Sequence, residues 1–279
     1  MSVRILTDST CDLPQEVISQ LGISVIPLYI HFDNQDYLDG IDLSREDFFS
    51  QLSSFQISPT TAVPSDAKFH AMYDSLADEG ASEVLSIHIS GKLSAVVNVA
   101  QAAAKETTSV PVTVLDSRTL SMGTGFLVQE AARLARAGAN VRDILDKLER
   151  LIKRIHVWAA LDTLEFLKRS GRMNTVMAGL GELLQLKPLL KMYDGVYGVE
   201  RVRTRKNAIA RLQQKLEEYG PFEQMVFIHT NAIDRAKALQ NEAMHLLNEK
   251  TNTWISTLNP VLGAHLGPGV VGFAAISAE

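Results

Sequence analysis

Short apolar runs alternate along this chain with longer stretches whose apolar residues recur at helical spacing. "VRILTDS" reads as a strand, and "LPQEVISQLG" as a helix with Asp12 capping, Pro14 in its first turn and Gly22 closing it. "ISVIPLYI" reads as one further strand. "SREDFFSQL" restarts a helix at the cap Ser44, and "SDAKFHAMYDSLADEG" forms another between Ser65 and Gly80. "EVLSIHIS" and "VPVTVLDS" are β-branched apolar runs flanking the helical "VVNVAQAAAKE". Strands that are apolar on both faces and alternate with helices predict a parallel sheet covered on both sides.

After the helical "VRDILDKLERLIKR" the pattern changes. "HVWAAL" opens a new section, and "LLKMYDGVYGVERVR" predicts two strands turning at Asp194-Gly195. A helix ("TRKNAIARLQQKLEEYG"), a strand ("QMVFIH"), a helix ("AIDRAKALQNEAMHLLNE") and two closing strands follow. The last strand is preceded by "NPVLGAHLGPGVVG", read as a stiff glycine- and proline-rich loop holding one imidazole, His265. A boundary near residue 153, without a Pro/Ser linker, divides the chain into expected domains 1–153 and 154–279, with a ligand cleft between them.

A length of 279 residues suits two domains, and 46% hydrophobic with 21% charged residues suits globular cores. The net charge of −5 argues against a nucleic-acid binder. The single cysteine, Cys11, leaves no internal disulfide. "MSVRILTDST" has neither the basic region nor the apolar core of a signal peptide, and no ~18-residue apolar run occurs, so a cytoplasmic location is expected.

Candidate chemistry lies at the carboxyl ends of the predicted parallel strands, where open α/β sheets bind ligands. Asp8-Ser9-Thr10 follows the first strand, Ser90 to Ser94 ("SGKLS") a later one, and Asp116-Ser117 with Ser121, Gly123 and Gly125 the next. The segment "SPTTAVPS" adds Thr60 and Thr61 between two prolines. Any one hydroxyl reads most simply as a helix cap; four such loops at one edge predict a hydroxyl-lined pocket. A serine hydrolase using Ser94 and His265 is the alternative, although "GKLSA" is not the G-x-S-x-G elbow. The seven histidines and one cysteine show no metal-ligand spacing, and no phosphate-binding or dinucleotide glycine motif occurs. Lys168, Arg169 and Arg172, then Arg201, Arg203, Arg205 and Lys206, concentrate positive charge in the second half. They read either as solvated faces or as an anion or partner-docking patch.

Seven motifs in order, from "DSTCDLP" through "TAVPS", "ISGKLSAVVNVA", "DSRTLSMGTG", "LEFLKRSGRMN" and "KPLLKMYDGVYGVERVRTRKNA" to "VLGAHLGPGVVG", resemble the DegV family over the whole length. The resemblance implies a two-domain α/β fold, a parallel-sheet α/β/α sandwich followed by a smaller α/β domain with a mixed sheet. It implies a long-chain fatty acid as ligand, its carboxylate received by Thr61 and Ser94, with Arg172 and His265 matching the family's motif arginine and histidine. Ser90 and Ser121 join the supporting polar shell, and Arg201 and Arg203 are the docking candidates. The family role implied is the non-catalytic, fatty-acid-binding subunit of a bacterial fatty acid kinase. A separate subunit, carrying ATP and Mg, phosphorylates the presented carboxylate for phospholipid synthesis; no cofactor is expected on this chain, and lipid exchange with a membrane surface is compatible with the role. Ala62, Val63, Ala95, Val96 and Ser170 depart from the family pattern.

Overall fold

A computed structural model describes residues 2–52, 58–172, 187–247 and 251–279. In chain order the elements are β1 (Val3–Asp8), α1 (Gln15–Leu21), β2 (Ser24–Ile26), β3 (Tyr29–Phe32), β4 (Gln35–Leu38), α2 (Arg45–Gln51) and β5 (Thr60–Ala62). Then follow α3 (Asp66–Asp78), β6 (Glu83–His88), α4 (Val96–Glu106), β7 (Val112–Asp116), α5 (Met122–Arg136) and α6 (Val141–Ile152). The remainder comprises β8 (Ile155–Ala160), α7 (Glu165–Arg169), β9 (Leu189–Tyr193), β10 (Val196–Glu200), α8 (Arg205–Tyr219), β11 (Phe222–His229), α9 (Ile233–Ala243), β12 (Asn252–Thr257), α10 (Pro260–Leu266) and β13 (Val271–Ser277). The ends of two sequence segments, Met173-Asn174 of "LEFLKRSGRMN" and Asn248-Glu249 of "AMHLLNE", lie outside the described residues.

Contacts gather these elements into two compact units, residues 1–29 with 62–153, and residues 30–61 with 154–279. The continuous span 1–153 expected from sequence is therefore interrupted, because residues 30–61 pack with the C-terminal half. The cause is visible at Pro27. "ISVIPLYI" is not one strand: β2 ends at Ile26, and β3 begins at Tyr29 in a different sheet. A proline has no N–H to continue a ladder, so the chain leaves the parallel sheet there.

In the first unit the sheet order is β2-β1-β6-β7, and every pairing is parallel. All but the first residue of β6 is buried, as expected where helices cover both faces. Helices α3 and α4 pack together, and α5 packs with α1 and α6. Caps follow local chemistry: Ser65 Oγ accepts from the Lys68 N–H, and Gly22 closes α1 at φ 65°. Asp12, expected to cap α1, does not. Pro14 occupies the cap position without a side-chain bond, and Asp12, two residues earlier, ends the 3-10 turn Ser9–Cys11 in a left-handed conformation.

In the second unit a mixed sheet has the order β10-β9-β8-β13-β11-β12, antiparallel except for β11 with β12. The β9–β10 hairpin turns at Asp194 (φ 46°) and Gly195 (φ 80°), the positive pair a two-residue turn requires. Helices α8 and α9 lay Leu212, Leu216 and Leu239 on Trp158, Phe227 and Phe273 of the sheet. The small sheet β4-β3-β5 contains Thr61, which the sequence placed in a loop at the edge of the parallel sheet.

Candidate functional site

The segment "NPVLGAHL" is a helix rather than the expected loop. Asn259 Oδ1 accepts from the Leu262 N–H at 2.8 Å, Pro260 occupies the first turn, and every residue of α10 is buried. Gly263 is required by contact: a Cβ there would lie 2.6 Å from the Phe49 ring of α2. The glycines after the helix serve closeness as well. Gly267 (φ 77°) and Gly269 (φ 85°) hold the backbone against Phe166 and Asp162, where a Cβ would stand 2.3 Å from either side chain.

This packing fixes His265, 8% exposed at the end of α10, against the half-buried Thr61 on β5. Nε2 and the threonine Oγ1 are 2.9 Å apart. Burial, reinforced by the charge of Arg172, depresses the imidazole to about 3, so it is neutral near pH 7. A neutral ring places its proton on one nitrogen. Nδ1 is buried and has no hydrogen-bond partner among the described residues, so a proton there would be an orphaned donor. The proton belongs on Nε2, donated to Thr61 Oγ1, which leaves the threonine O–H to donate elsewhere. Arg172 is half-buried, donates to the Ser170 carbonyl at 2.7 Å, and its charge also reaches the phenol of Tyr197.

Ser94 lies in the first unit, in the turn leading into α4. Its Oγ accepts a long bond, 3.4 Å, from the Val96 N–H, so its O–H too remains able to donate. Every backbone N–H of this turn from Ile89 to Ser94 has a partner. Ile89 N–H donates to Asp8, Ser90 N–H to the Thr119 carbonyl and Gly91 N–H to Asp116; Lys92 N–H donates to Ser90 Oγ, and Leu93 and Ser94 N–H to the Ser90 carbonyl. Ser90 therefore builds the turn from a fully buried position.

Ser121 is also committed. Its hydroxyl donates to Asp12 Oδ2 at 2.6 Å, both side chains are buried, and both residues hold positive φ (54° and 57°). Arg205 forms a fork on Asp162, and Arg169 pairs with Glu165. Arg201 and Arg203 lie at exposed positions.

Sequence reasoning passed over His88. Its Nδ1 is 3.0 Å from Asp8 Oδ2, its Nε2 2.7 Å from Ser86 Oγ, and the Tyr73 hydroxyl is 3.2 Å from that serine. All four side chains are fully buried. Burial alone would push the Asp8 carboxyl up; His88, Thr10 and the Ile89 N–H outweigh it and hold Asp8 below the ordinary value. The only local signal was a histidine inside an apolar strand, a position that calls for a buried partner.

These features define an α/β protein that carries two hydroxyls, on Thr61 and Ser94, each hydrogen-bonded to a neighbouring nitrogen. A family model described as "Uncharacterised protein, DegV family" matches residues 2–278. The chain belongs to the DegV family. It is 37% identical over 278 residues to a DegV domain-containing protein of Deinococcus radiodurans, covering 98% of each chain. Solved structures of similar fold include a Thermus thermophilus DegV family protein described for its fatty acid binding (35% identity, TM-score 0.89). Another is a fatty acid binding DegV of Bacillus subtilis (29% identity, TM-score 0.91); both are covered over their full length, as is this chain. Among the described residues no helix is long and apolar enough to cross a membrane.

Proposed function

We propose that this chain binds a long-chain fatty acid, its carboxylate accepting from Thr61 and Ser94, and presents that carboxylate to a separate ATP-dependent kinase subunit. The observation that carries the reading is the Thr61–His265 pair. A neutral imidazole with its proton on Nε2 donates to Oγ1 and leaves the threonine O–H free to donate, which suits an anion. Hydrogen bonds to a charged group contribute about 1.5–3 kcal/mol each, and they leave the carboxylate its charge, as a phosphoryl acceptor requires. The acyl tail supplies affinity, at roughly 0.8 kcal/mol per buried methylene. Family membership and the fatty acid binding described for the two solved relatives support the same ligand class. The kinase partnership rests on the family resemblance; ATP and Mg belong to the partner, and Arg201 and Arg203 are the surface residues proposed to meet it.

The hydrolase alternative fits less well. A histidine depressed to about 3 is a weak base, and its Nε2 is held by a threonine. The test is to titrate delipidated protein with oleate, and in parallel to assay a fatty ester and, with the kinase subunit and ATP, acyl-phosphate formation. The proposal expects saturable oleate binding, no ester turnover, and acyl-phosphate only with both proteins present. Ester turnover abolished by Ser94→Ala, without oleate retention, would overturn it.

A further inference from the structure

We infer that Asp8 is a positioning residue for Ser94, acting through the Ile89 N–H and His88 to fix the turn that carries the serine. The inference rests on the assignment of Ser94 as a carboxylate ligand.

Asp8 ends β1, and His88 ends the neighbouring strand β6. Asp8 Oδ1 accepts from the N–H and the hydroxyl of Thr10, and Oδ2 from His88 Nδ1 and the Ile89 N–H. Four donors thus occupy one buried carboxylate, so no acceptor site is left for a further group. Because Oδ2 of an ionised carboxylate can only accept, His88 carries a proton on Nδ1. Nε2 is then left to meet Ser86, and Ser86 to meet Tyr73. The chain of bonds gives His88 one orientation, with the Phe69 ring packed at a right angle to it, 5.4 Å between centroids.

The consequence lies in the turn. Its backbone N–H groups from 89 to 94 are all engaged, and three of those bonds leave the turn: to Asp8, to the Thr119 carbonyl and to Asp116. Asp8 is the fully buried charge among these anchors, and it holds the first residue of the turn. Replacing it with asparagine keeps the shape but sets an amide N–H₂ against donors on one side or the other. Either Thr10 or the Ile89–His88 pair loses its acceptor. A displaced Ile89 moves Ser90, whose carbonyl and hydroxyl build the rest of the turn, and so re-aims Ser94.

The test compares delipidated wild type, Asp8→Asn and His88→Gln, each loaded with [1-¹³C]oleate, by the carboxyl ¹³C resonance and by affinity. Leu148→Ala in α6 serves as a control that loses stability without touching the turn. The expected result is a displaced carboxyl resonance and several-fold weaker binding in Asp8→Asn, a smaller displacement in His88→Gln, and a wild-type resonance in Leu148→Ala. Imidazole ¹⁵N spectra of wild type should show a slowly exchanging Nδ1–H that disappears in His88→Gln. If Asp8→Asn does not fold, His88→Gln carries the comparison. A wild-type resonance and affinity in the folded variants overturns the positioning role while leaving the fatty-acid reading intact. Failure of the wild type to bind oleate overturns both.

Discussion

Thr61 has a single hydroxyl, and what that hydroxyl can do is decided by its neighbour. With Nε2–H of His265 donating to it, the threonine must point its own hydrogen at another acceptor. Thr61→Val, which keeps the shape, should weaken oleate binding by the equivalent of about 1.5–3 kcal/mol, whereas Thr61→Ser should retain most of the affinity. Equal affinities for wild type and Thr61→Val in a calorimetric titration would remove Thr61 from the site. His265 also gives a pH signature in the delipidated protein. Its folded value, about 3, lies below the ordinary 6.5, so between these limits the unfolded chain binds a proton that the folded chain excludes. Its contribution to stability is complete above pH 6.5 and declines as pH falls towards 3, at about 1.4 kcal/mol per pH unit for one proton. His156, depressed to about 4 chiefly by burial, adds a slope of the same sign. His265→Gln should therefore flatten the acid limb of a stability–pH curve from denaturant unfolding. An unchanged slope would show that the imidazole titrates normally.

At the scale of elements, α10 depends on packing more than on propensity. Its seven residues include a proline and a glycine, yet all are buried, and Gly263 sits where the Phe48 and Phe49 rings of α2 come closest. Gly263→Ala should cost about 1–3 kcal/mol through overpacking, despite alanine's better helix propensity. A stabilised variant in thermal or denaturant unfolding would contradict this account of the helix. The same element shows where sequence reading ended. Ser44, Ser65, Gly22 and the Asp194-Gly195 turn were legible because each acts within a few residues of its own position. Helix α10 was not: its glycines look like a loop until α2, more than two hundred residues earlier, is seen against them. β5 is three residues long and exists through its pairing in the small sheet, so no period could announce it. The hydroxyl and imidazole candidates were legible as residue types, Thr61 and His265 through the ordered motifs. The commitments of Ser121 to Asp12 and of His88 to Asp8 join positions 109 and 80 residues apart, beyond the reach of local pattern.

At the scale of the whole molecule, the chain belongs to a family whose solved members include fatty acid binding proteins, and phosphoryl chemistry on a partner is our proposal. Arg201 and Arg203 are exposed in a chain whose net charge is −5. Reversing both to glutamate should weaken partner-dependent acyl-phosphate formation and leave oleate affinity unchanged; undiminished phosphorylation would return them to an ordinary solvated surface. The central claim is more directly accessible than the partnership. Protein purified from a bacterial host without added lipid should, on organic extraction and mass spectrometry, release a long-chain fatty acid of C16–C18 length at close to one per chain. A lipid-free preparation that also fails to take up labelled palmitate or oleate would contradict it.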